Sequence, residues 1–201
     1  VETSPTPTAT PLAPEQVEVV YVIPPLPSVV VPRPLWGDRV EDQGPIAELL
    51  AALARARRVN EPKEDKQVPL ARTANLVIRY RDGVTTIRRA FRCSEDGRCE
   101  TVPGRWFVGG QGNSITLESP ALDAWWERKD EFMPLVEKST VPQEAVIGEP
   151  VAISGNGWVE GHEVDISLQL RSGGPVMSLG QTPLDHGSFI WSSPLPPDAT
   201  P

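Results

Sequence analysis

The sequence has few of the residues that carry metal or thiol chemistry, with two cysteines and two histidines in 201 residues. It also lacks a long apolar run: its longest stretches, such as Val17 to Ile23 and Leu49 to Ala54, fall far short of the ~20 residues that a membrane-spanning helix needs. Residues 1–14 show neither a basic start nor an apolar core, so no signal peptide is visible. These absences argue against a membrane-spanning chain and predict no metal site and no cofactor.

The motifs of common enzyme classes are missing as well. No G-x-S-x-G nucleophile turn occurs, and the glycines at 109–112 are not followed by the Lys-Ser/Thr of a phosphate-binding loop. His162 and His186 have acidic and serine neighbours that could form part of a Ser-His-Asp arrangement, but both fall where surface turns are predicted. We therefore expect no enzymatic activity. A hydrolase with its active site between two domains is the alternative.

Proline is abundant but unevenly placed. The 23 prolines cluster in residues 1–34 and 183–201, which predicts extended ends with folded material between them. Residues 1–14, VETSPTPTATPLAP, favour polyproline II and cannot bury apolar surface, so we interpret them as a disordered Thr/Pro spacer. The hydrophobic content of 39% is nevertheless enough to bury a core over most of the remaining length.

The two cysteines lie on either side of a strong turn sequence. In AFRCSEDGRCETV, residues 95–97 read Glu-Asp-Gly, which places Cys93 and Cys99 on facing arms of one hairpin, within disulfide range. We predict a disulfide between them, which fits an oxidising compartment. A zinc site would need two further soft ligands, and the histidines lie in another part of the chain.

Periodicity predicts an α+β domain over residues 15–138, an antiparallel meander with two helices. Strands are indicated at Val17 to Ile23, at an edge piece from Ser28 to Val31, in the meander from Leu76 to Phe107 across an Asp82-Gly83 turn and the cysteine tip, and at Ser114 to Leu117. The first helix is expected to carry Pro45 in its first turn and an apolar face of Ile46, Leu49, Leu50 and Leu53. The second is expected to be capped by Ser119, to begin at Pro120 and to run until Pro134.

Charge is strongly segregated along the chain. Residues 72–105 contain eight arginines against four acids, a local +4 that leaves −12 elsewhere for a net charge of −8, which argues against a nucleic-acid binder. The strand pattern predicts a basic sheet face, and arginine suits phosphate or carboxylate polymers. The alternative is a set of solvent-side arginines paired with acids. The candidate contact residues for an anionic partner are Arg79, Arg81, Arg88 and Arg92.

The last third of the chain resembles a known kind of domain. Gly155-Asn156-Gly157-Trp158, Gly161-His162-Glu163-Val164 and Asp185-His186-Gly187-Ser188-Phe189 resemble the conserved turns of immunoglobulin-like repeats in bacterial surface proteins and lipoproteins. The resemblance implies an all-β immunoglobulin-like sandwich over residues 141–201. Such repeats continue into a further strand, so we expect this one to lack its last strand before Pro201 or to borrow an edge from a neighbour.

Two further resemblances concern the N-terminal part. The Thr/Pro tract is similar to the spacer that follows the lipid-modified cysteine of bacterial lipoproteins, and residues 15–138 loosely resemble Firmicutes lipoprotein domains of unknown function. Together they imply a cell-envelope protein outside the cytoplasm, anchored to the outer face of the membrane upstream of Val1. The expected role is binding or scaffolding, with an anionic wall polymer, a membrane surface or an envelope protein as partner. An interaction or inhibitor module, with Trp125 or Trp158 in an exposed aromatic patch, is a further alternative.

Overall fold

The computed structural model describes residues 13–25, 28–60, 65–66, 73–109, 114–142, 145–169, 176–195 and 197. The predicted spacer lies outside these ranges except for Ala13 and Pro14, and Pro14–Gln16 form a short 3-10 turn. Within the described residues the chain is mostly β-structure, with a large antiparallel sheet and three α-helices. No helix in this part of the chain is long and apolar enough to cross a membrane.

The large sheet has eight antiparallel strands among the described residues. Along its main path the strand order is β3-β1-β6-β7-β8-β9-β4, and β5 pairs with β7 beyond the start of β6. The predicted strand at residues 17–23 and the meander are confirmed. The strands are β1 (Val17–Ile23), β3 (Leu35–Trp36), β4 (Arg57–Val59), β5 (Asp65–Lys66), β6 (Asn75–Tyr80), β7 (Gly83–Cys93), β8 (Cys99–Val108) and β9 (Ile115–Glu118).

The meander register follows from its two turns. Tyr80 pairs with Gly83 and Leu76 with Ile87, as the Asp82-Gly83 turn predicts. At the far end of β7, Cys93 pairs with Cys99, and the two form the predicted disulfide with an S–S distance of 2.03 Å. The register between β7 and β8 shifts after Arg89: Arg89 pairs with Trp106, whereas Phe91 pairs with Thr101. Residues on the two sides of this shift therefore do not follow one continuous pairing pattern.

Three helices, α1 (Val40–Ala54), α2 (Pro120–Glu127) and α3 (Lys129–Phe132), cover one face of the sheet. The period of two along each strand points alternate side chains towards them. Apolar side chains from the sheet and helices then form the main core, in which the largest fully buried members are Trp106, Leu35, Ile46, Leu49, Leu76, Ile78, Ile87, Leu122 and Met133.

The first helix begins earlier than expected. Its start is Val40, so Pro45 lies in the helix interior rather than in the first turn. Interior proline removes a helical hydrogen bond, and the helix nevertheless starts here because Asp42 is fixed in its first turn by Arg33 and by the Trp36 amide. Pro45 also contributes a contact, since its carbonyl accepts the Trp125 Nε1 hydrogen at 2.9 Å.

The second predicted helix is split in two. Its cap is confirmed, because the Ser119 Oγ accepts a hydrogen bond from the Leu122 amide. The helix then ends at Glu127, and Arg128, at φ −92° and ψ −2°, separates it from α3. The Arg128 side chain bonds to Glu131 and to Glu48 of α1, and the apolar spacing of the sequence did not reveal the break at this residue.

A short ribbon joins the two halves of the chain. Strand β2 (Val30–Pro32) pairs with β10 (Leu135–Glu137) and is not part of the large sheet. The edge piece predicted at Ser28 to Val31 is therefore extended but lies about two residues further along, in a separate sheet. This ribbon leads directly into the C-terminal part.

Among its described residues, the C-terminal part contains two antiparallel strand pairs. Strand β11 (Pro150–Gly155) pairs with β14 (Phe189–Pro194), and β12 (Glu163–Leu168) pairs with β13 (Met177–Pro183). A small core of Ile166, Phe189 and Trp191 holds them together. This arrangement is compatible with a β-sandwich. The prediction that the sandwich lacks its last strand before Pro201 concerns residues outside the described ranges.

Candidate functional site

An open groove separates the large sheet from the C-terminal part. Its volume is about 800 Å³, and its walls come from the start of β1, the loop after β3, the end of β6 and two C-terminal loops. The residues with polar or aromatic side chains in these walls are Glu15, Glu18, Trp36, Asp38, Gln43, Arg79, Arg81, Trp158, His162 and His186. The groove thus combines both histidines with two of the predicted contact arginines.

A second hollow continues this groove. It measures about 650 Å³ and is lined by Tyr80, Val84 and Thr85 at the turn between β6 and β7. Both hollows are lined by Glu15 and Arg81, so the two are adjacent. Arg81 stands where they meet.

Arg79 binds the C-terminal part to the sheet. Its Nη1 donates a hydrogen bond of 2.7 Å to the Val159 carbonyl, and its Nη2 lies 3.7 Å from Glu160 Oε1. On the other side, the guanidinium lies 5.7 Å from the centroid of the Tyr21 ring. All of these partners belong to the protein itself, so Arg79 has a structural role in forming the groove.

The joint between the halves is held at Lys138. Its amide donates to the Val29 carbonyl at 2.7 Å, and its carbonyl accepts hydrogen bonds from the Asn156 amide at 3.2 Å and from Trp158 Nε1 at 2.9 Å. The Lys138 ammonium lies 4.7 Å from the Trp158 ring centroid, so it partly covers that ring. The short polar joint predicted from Lys138 onward is therefore closely packed.

His186 forms the other contact across the groove. Its Nε2 lies 3.1 Å from both carboxylate oxygens of Asp38, its Nδ1 lies 2.7 Å from Asp185 Oδ1, and its ring meets the edge of Trp36 at 5.6 Å. Partial burial lowers the pKa of His186, but the hydrogen bonds to Asp38 and Asp185 outweigh this effect and raise that pKa above its ordinary value of 6.5.

His186 is not part of a Ser-His-Asp arrangement. A Ser-His-Asp arrangement needs a serine or cysteine within hydrogen-bond reach of the imidazole. Both ring nitrogens of His186 face carboxylates, and the nearby Ser188 hydroxyl donates instead to Asn156 Oδ1 at 3.0 Å. Among the residues lining the groove that the structure describes, none is a serine or a cysteine.

The four predicted contact arginines do not share one continuous surface. By register Arg79 and Arg88 lie on the sheet face opposite the helices, whereas Arg81 follows the end of β6 and Arg92 lies beyond the register shift in β7. Arg92 pairs across the sheet with Asp65 on one side and Glu100 on the other. The stripe inferred from strand alternation is therefore divided between the groove, the sheet and the hairpin tip.

The sheet face that carries Arg79 and Arg88 is not simply solvated. Its neighbours Val19, Val77 and Phe107 are all fully buried. The Nε of Arg88 is buried as well and has no hydrogen-bond partner among the described residues. Both faces of the sheet thus bury apolar side chains. The sequence had instead suggested that the face with the arginines points to solvent.

Arg81 differs from the other three arginines. Its side chain is exposed, and within the described ranges it forms no hydrogen bond or ion pair. An unpaired guanidinium presents five donors in a planar fork. Arg81 is therefore the groove residue best placed to bind an external anion.

Sequence reasoning missed Trp36 and Asp38 as parts of the site. Asp38 meets His186 across 148 residues of chain, and no local pattern signals such a contact. The alternative of an interaction module placed Trp125 or Trp158 in an exposed aromatic patch. For Trp125 this was wrong, because its side chain lies in the core and is only 3% exposed. Trp158 is half-buried. Within the described residues no group of three or more His, Cys, Asp or Glu side chains could hold a metal ion.

Comparison with known proteins gave no relative. No protein-family model matches the chain, and no curated protein or solved structure is significantly similar to it.

Proposed function

We propose that the chain is a non-enzymatic binding or scaffolding protein of the bacterial cell envelope, and that its groove contacts an anionic wall polymer. The location is supported by the Cys93–Cys99 disulfide, which fits an oxidising compartment, and by the Thr/Pro tract, which is similar to lipoprotein spacers. The immunoglobulin-like resemblance of residues 141–201 agrees with a surface protein built from repeated modules.

The proposal depends on the position and exposure of Arg81. It is exposed, it is unpaired within the described residues, and it lies where the two hollows of the groove meet. An open groove beside a second open hollow suits a segment of an extended chain better than an enclosed small molecule. A phosphate or carboxylate of that chain would bind the guanidinium fork.

The acids of the groove limit the expected affinity. Glu15 and Glu18 line the same walls as Arg81, and Asp38 is occupied by His186. A bound chain is therefore positioned at Arg81 rather than attracted by a uniformly basic surface. We expect weak binding that falls as salt rises, because exposed charges are screened over about 10 Å at 0.1 M ionic strength.

The test uses a matched pair of arginine variants in the full chain. Arg81→Ala removes the groove guanidinium, and Arg58→Ala removes an exposed arginine of β4, at the opposite edge of the sheet. Fluorescence anisotropy with a labelled poly(glycerol phosphate) chain should show weaker binding and a smaller salt dependence for Arg81→Ala only. Equal binding by both variants, or binding of the unmodified chain that ignores salt, would refute the proposal.

Anionic phospholipid vesicles separate the polymer from a membrane surface. Vesicles of phosphatidylglycerol and phosphatidylcholine present phosphates on a broad plane, whereas the groove admits a narrow chain. We expect the polymer to bind and the vesicles to bind weakly. Vesicle binding that exceeds polymer binding and persists in Arg81→Ala would show that the partner is a membrane surface and that the groove is not the contact site.

A further inference from the structure

The turn before β14 is fitted closely against the sheet domain. The Gly187 carbonyl accepts a hydrogen bond from the Trp158 amide at 3.1 Å, and Gly187 at φ +73° has no room for a side chain, since a Cβ would collide with the Trp158 carbonyl oxygen and would lie 3.2 Å from Trp36 Cζ2 of the N-terminal part. His186 itself has a left-handed backbone at φ +46°. This conformation is uncommon outside glycine and is held by surrounding contacts.

Those contacts come from both halves of the molecule. Asp38 belongs to the loop after β3, Asp185 to the same turn as His186, and the Trp36 ring packs edge-on against the imidazole. No other titratable side chain among the described residues bonds to the ring. The charged groups that line the groove further away are Glu15, Glu18, Arg79, Arg81 and His162.

Protonation decides how many of these hydrogen bonds exist. The imidazolium carries a hydrogen on each nitrogen and donates to Asp38 and Asp185 together. A neutral ring has one hydrogen, so one nitrogen must turn a lone pair towards a carboxylate. The two-carboxylate geometry is therefore complementary to the charged ring.

We propose that His186 is a protonation-dependent latch that closes the turn at residues 184–188 onto the Trp36–Asp38 loop and loosens as the pH rises. The latch forms one wall of the groove, but it acts whether or not a ligand binds there, so it does not depend on the proposed function. It gives the turn a response to the pH of its surroundings.

The loosening is confined to this turn. Arg79 still bonds to the Val159 carbonyl, and Lys138 still bonds to Val29, Asn156 and Trp158 when His186 is neutral, because none of these contacts involves the imidazole. The C-terminal part therefore stays attached through them. Its turn at 184–188 gains freedom, and the groove widens at the Asp38 end.

The direction of the pH effect follows from the raised pKa of His186 in the closed form. Closure is fully stabilised below the pKa of the open form, near 6.5, and this stabilisation is lost as the pH rises through the higher pKa of the closed form. The opening constant should rise about tenfold for each unit by which the closed-form pKa exceeds that of the open form.

Nuclear magnetic resonance of the full chain tests the latch directly. Titration of the His186 imidazole should give a midpoint above the ordinary value of 6.5, and Asp38→Asn should lower that midpoint. Asp38 is exposed, so this variant should fold. A His186 midpoint at or below the ordinary value, unaffected by Asp38→Asn, would overturn the proposal.

Amide exchange measures the opening itself. After correction for the chemical exchange rate at each pH, the Trp158 amide should exchange faster as the pH rises through the His186 midpoint, while the Ile78 amide in β6 should not. His186→Asn should abolish this dependence, since asparagine tolerates the left-handed backbone but does not titrate. His162→Asn should preserve it. A Trp158 amide that responds to pH equally in His186→Asn and the unmodified chain would contradict a latch at His186.

Discussion

Replacing Asp42 with asparagine should cost more stability than any surface charge change in this protein. Asp42 has no exposed surface, and its carboxylate accepts hydrogen bonds from Arg33 Nη1 at 3.2 Å, from Arg33 Nη2 at 2.6 Å and from the Trp36 amide at 2.9 Å. An asparagine amide keeps the shape but offers one acceptor oxygen, so at least one of these donors would face another donor. The Asp42→Asn variant therefore leaves a buried donor unpaired.

The size of the stability loss depends on how deeply Asp42 and Arg33 are each buried. Removing one partner of a buried ion pair costs about 3–5 kcal/mol, because the other charge stays desolvated. The Arg33 side chain is 27% exposed and also donates to the Phe132 carbonyl, so part of its charge is compensated. We therefore expect a loss near the lower bound, about 3 kcal/mol of unfolding free energy.

Urea unfolding followed by tryptophan fluorescence measures this loss as a lower midpoint with an unchanged slope. A double-mutant cycle with Arg33→Ala should give a coupling energy above about 1 kcal/mol. The matched control is Arg128 with Glu131, whose side chains are 53% and 62% exposed. That pair should couple by less than about 1 kcal/mol, because exposed ion pairs contribute little.

A stability change for Asp42→Asn within about 0.5 kcal/mol of zero, the range of ordinary surface substitutions, would refute this reasoning. The result also bears on the groove. Asp42 holds the Trp36 amide, and Trp36 precedes the loop that carries Asp38, so the variant should also weaken the contact between Asp38 and His186.

Two further outcomes are expected from the unfolding assay. Replacing Cys93 and Cys99 together with serine should cost only about 2 kcal/mol, because the disulfide closes a loop with a sequence separation of 6, and a loss above 4 kcal/mol would show that the tip matters to the core. Gly187→Ala should cost about 1–3 kcal/mol more than Gly97→Ala, since both glycines have positive φ but only the Cβ at 187 would meet other atoms. Equal losses for the two glycine variants would show that the turn is not tightly docked.

The sequence predicted the sheet of the N-terminal part well because its signals are local. Alternating β-branched residues at 17–23, the Asp82-Gly83 turn and the Ser119 cap each act within a few residues, and each is confirmed. The disulfide was predictable for the same reason, since its turn fixes the two cysteines opposite each other. Local chemistry thus predicted the five central strands β1, β6, β7, β8 and β9, but not the short strands β3, β4 and β5.

The errors arose where distant contacts override local preference. Pro45 was placed in the first helical turn, but Asp42 and its bonds to Arg33 and Trp36 start the helix five residues earlier. The second helix is interrupted at Arg128, whose exposed side chain contacts Glu48 of the first. These partners lie in other elements, so no periodicity in the helix itself could reveal them.

The candidate site was predicted only in part. Strand alternation put Arg79 and Arg88 on one face correctly, but it treated Arg81 and Arg92 as continuing the same stripe. The strand end at Tyr80 and the register shift after Arg89 break that continuity. Whether these arginines contact an anionic partner stays a prediction.

The packing of Lys138 has a mechanical consequence for the molecule. A flexible peptide link limits only the distance between two parts of a chain. A residue whose amide and carbonyl are both hydrogen-bonded also limits their relative rotation. The Lys138 amide is anchored to Val29 and its carbonyl to Asn156 and Trp158, so the orientation of the C-terminal strands is dictated by the β2–β10 ribbon. One residue inserted after Lys138 would misalign the groove walls while leaving each half internally intact.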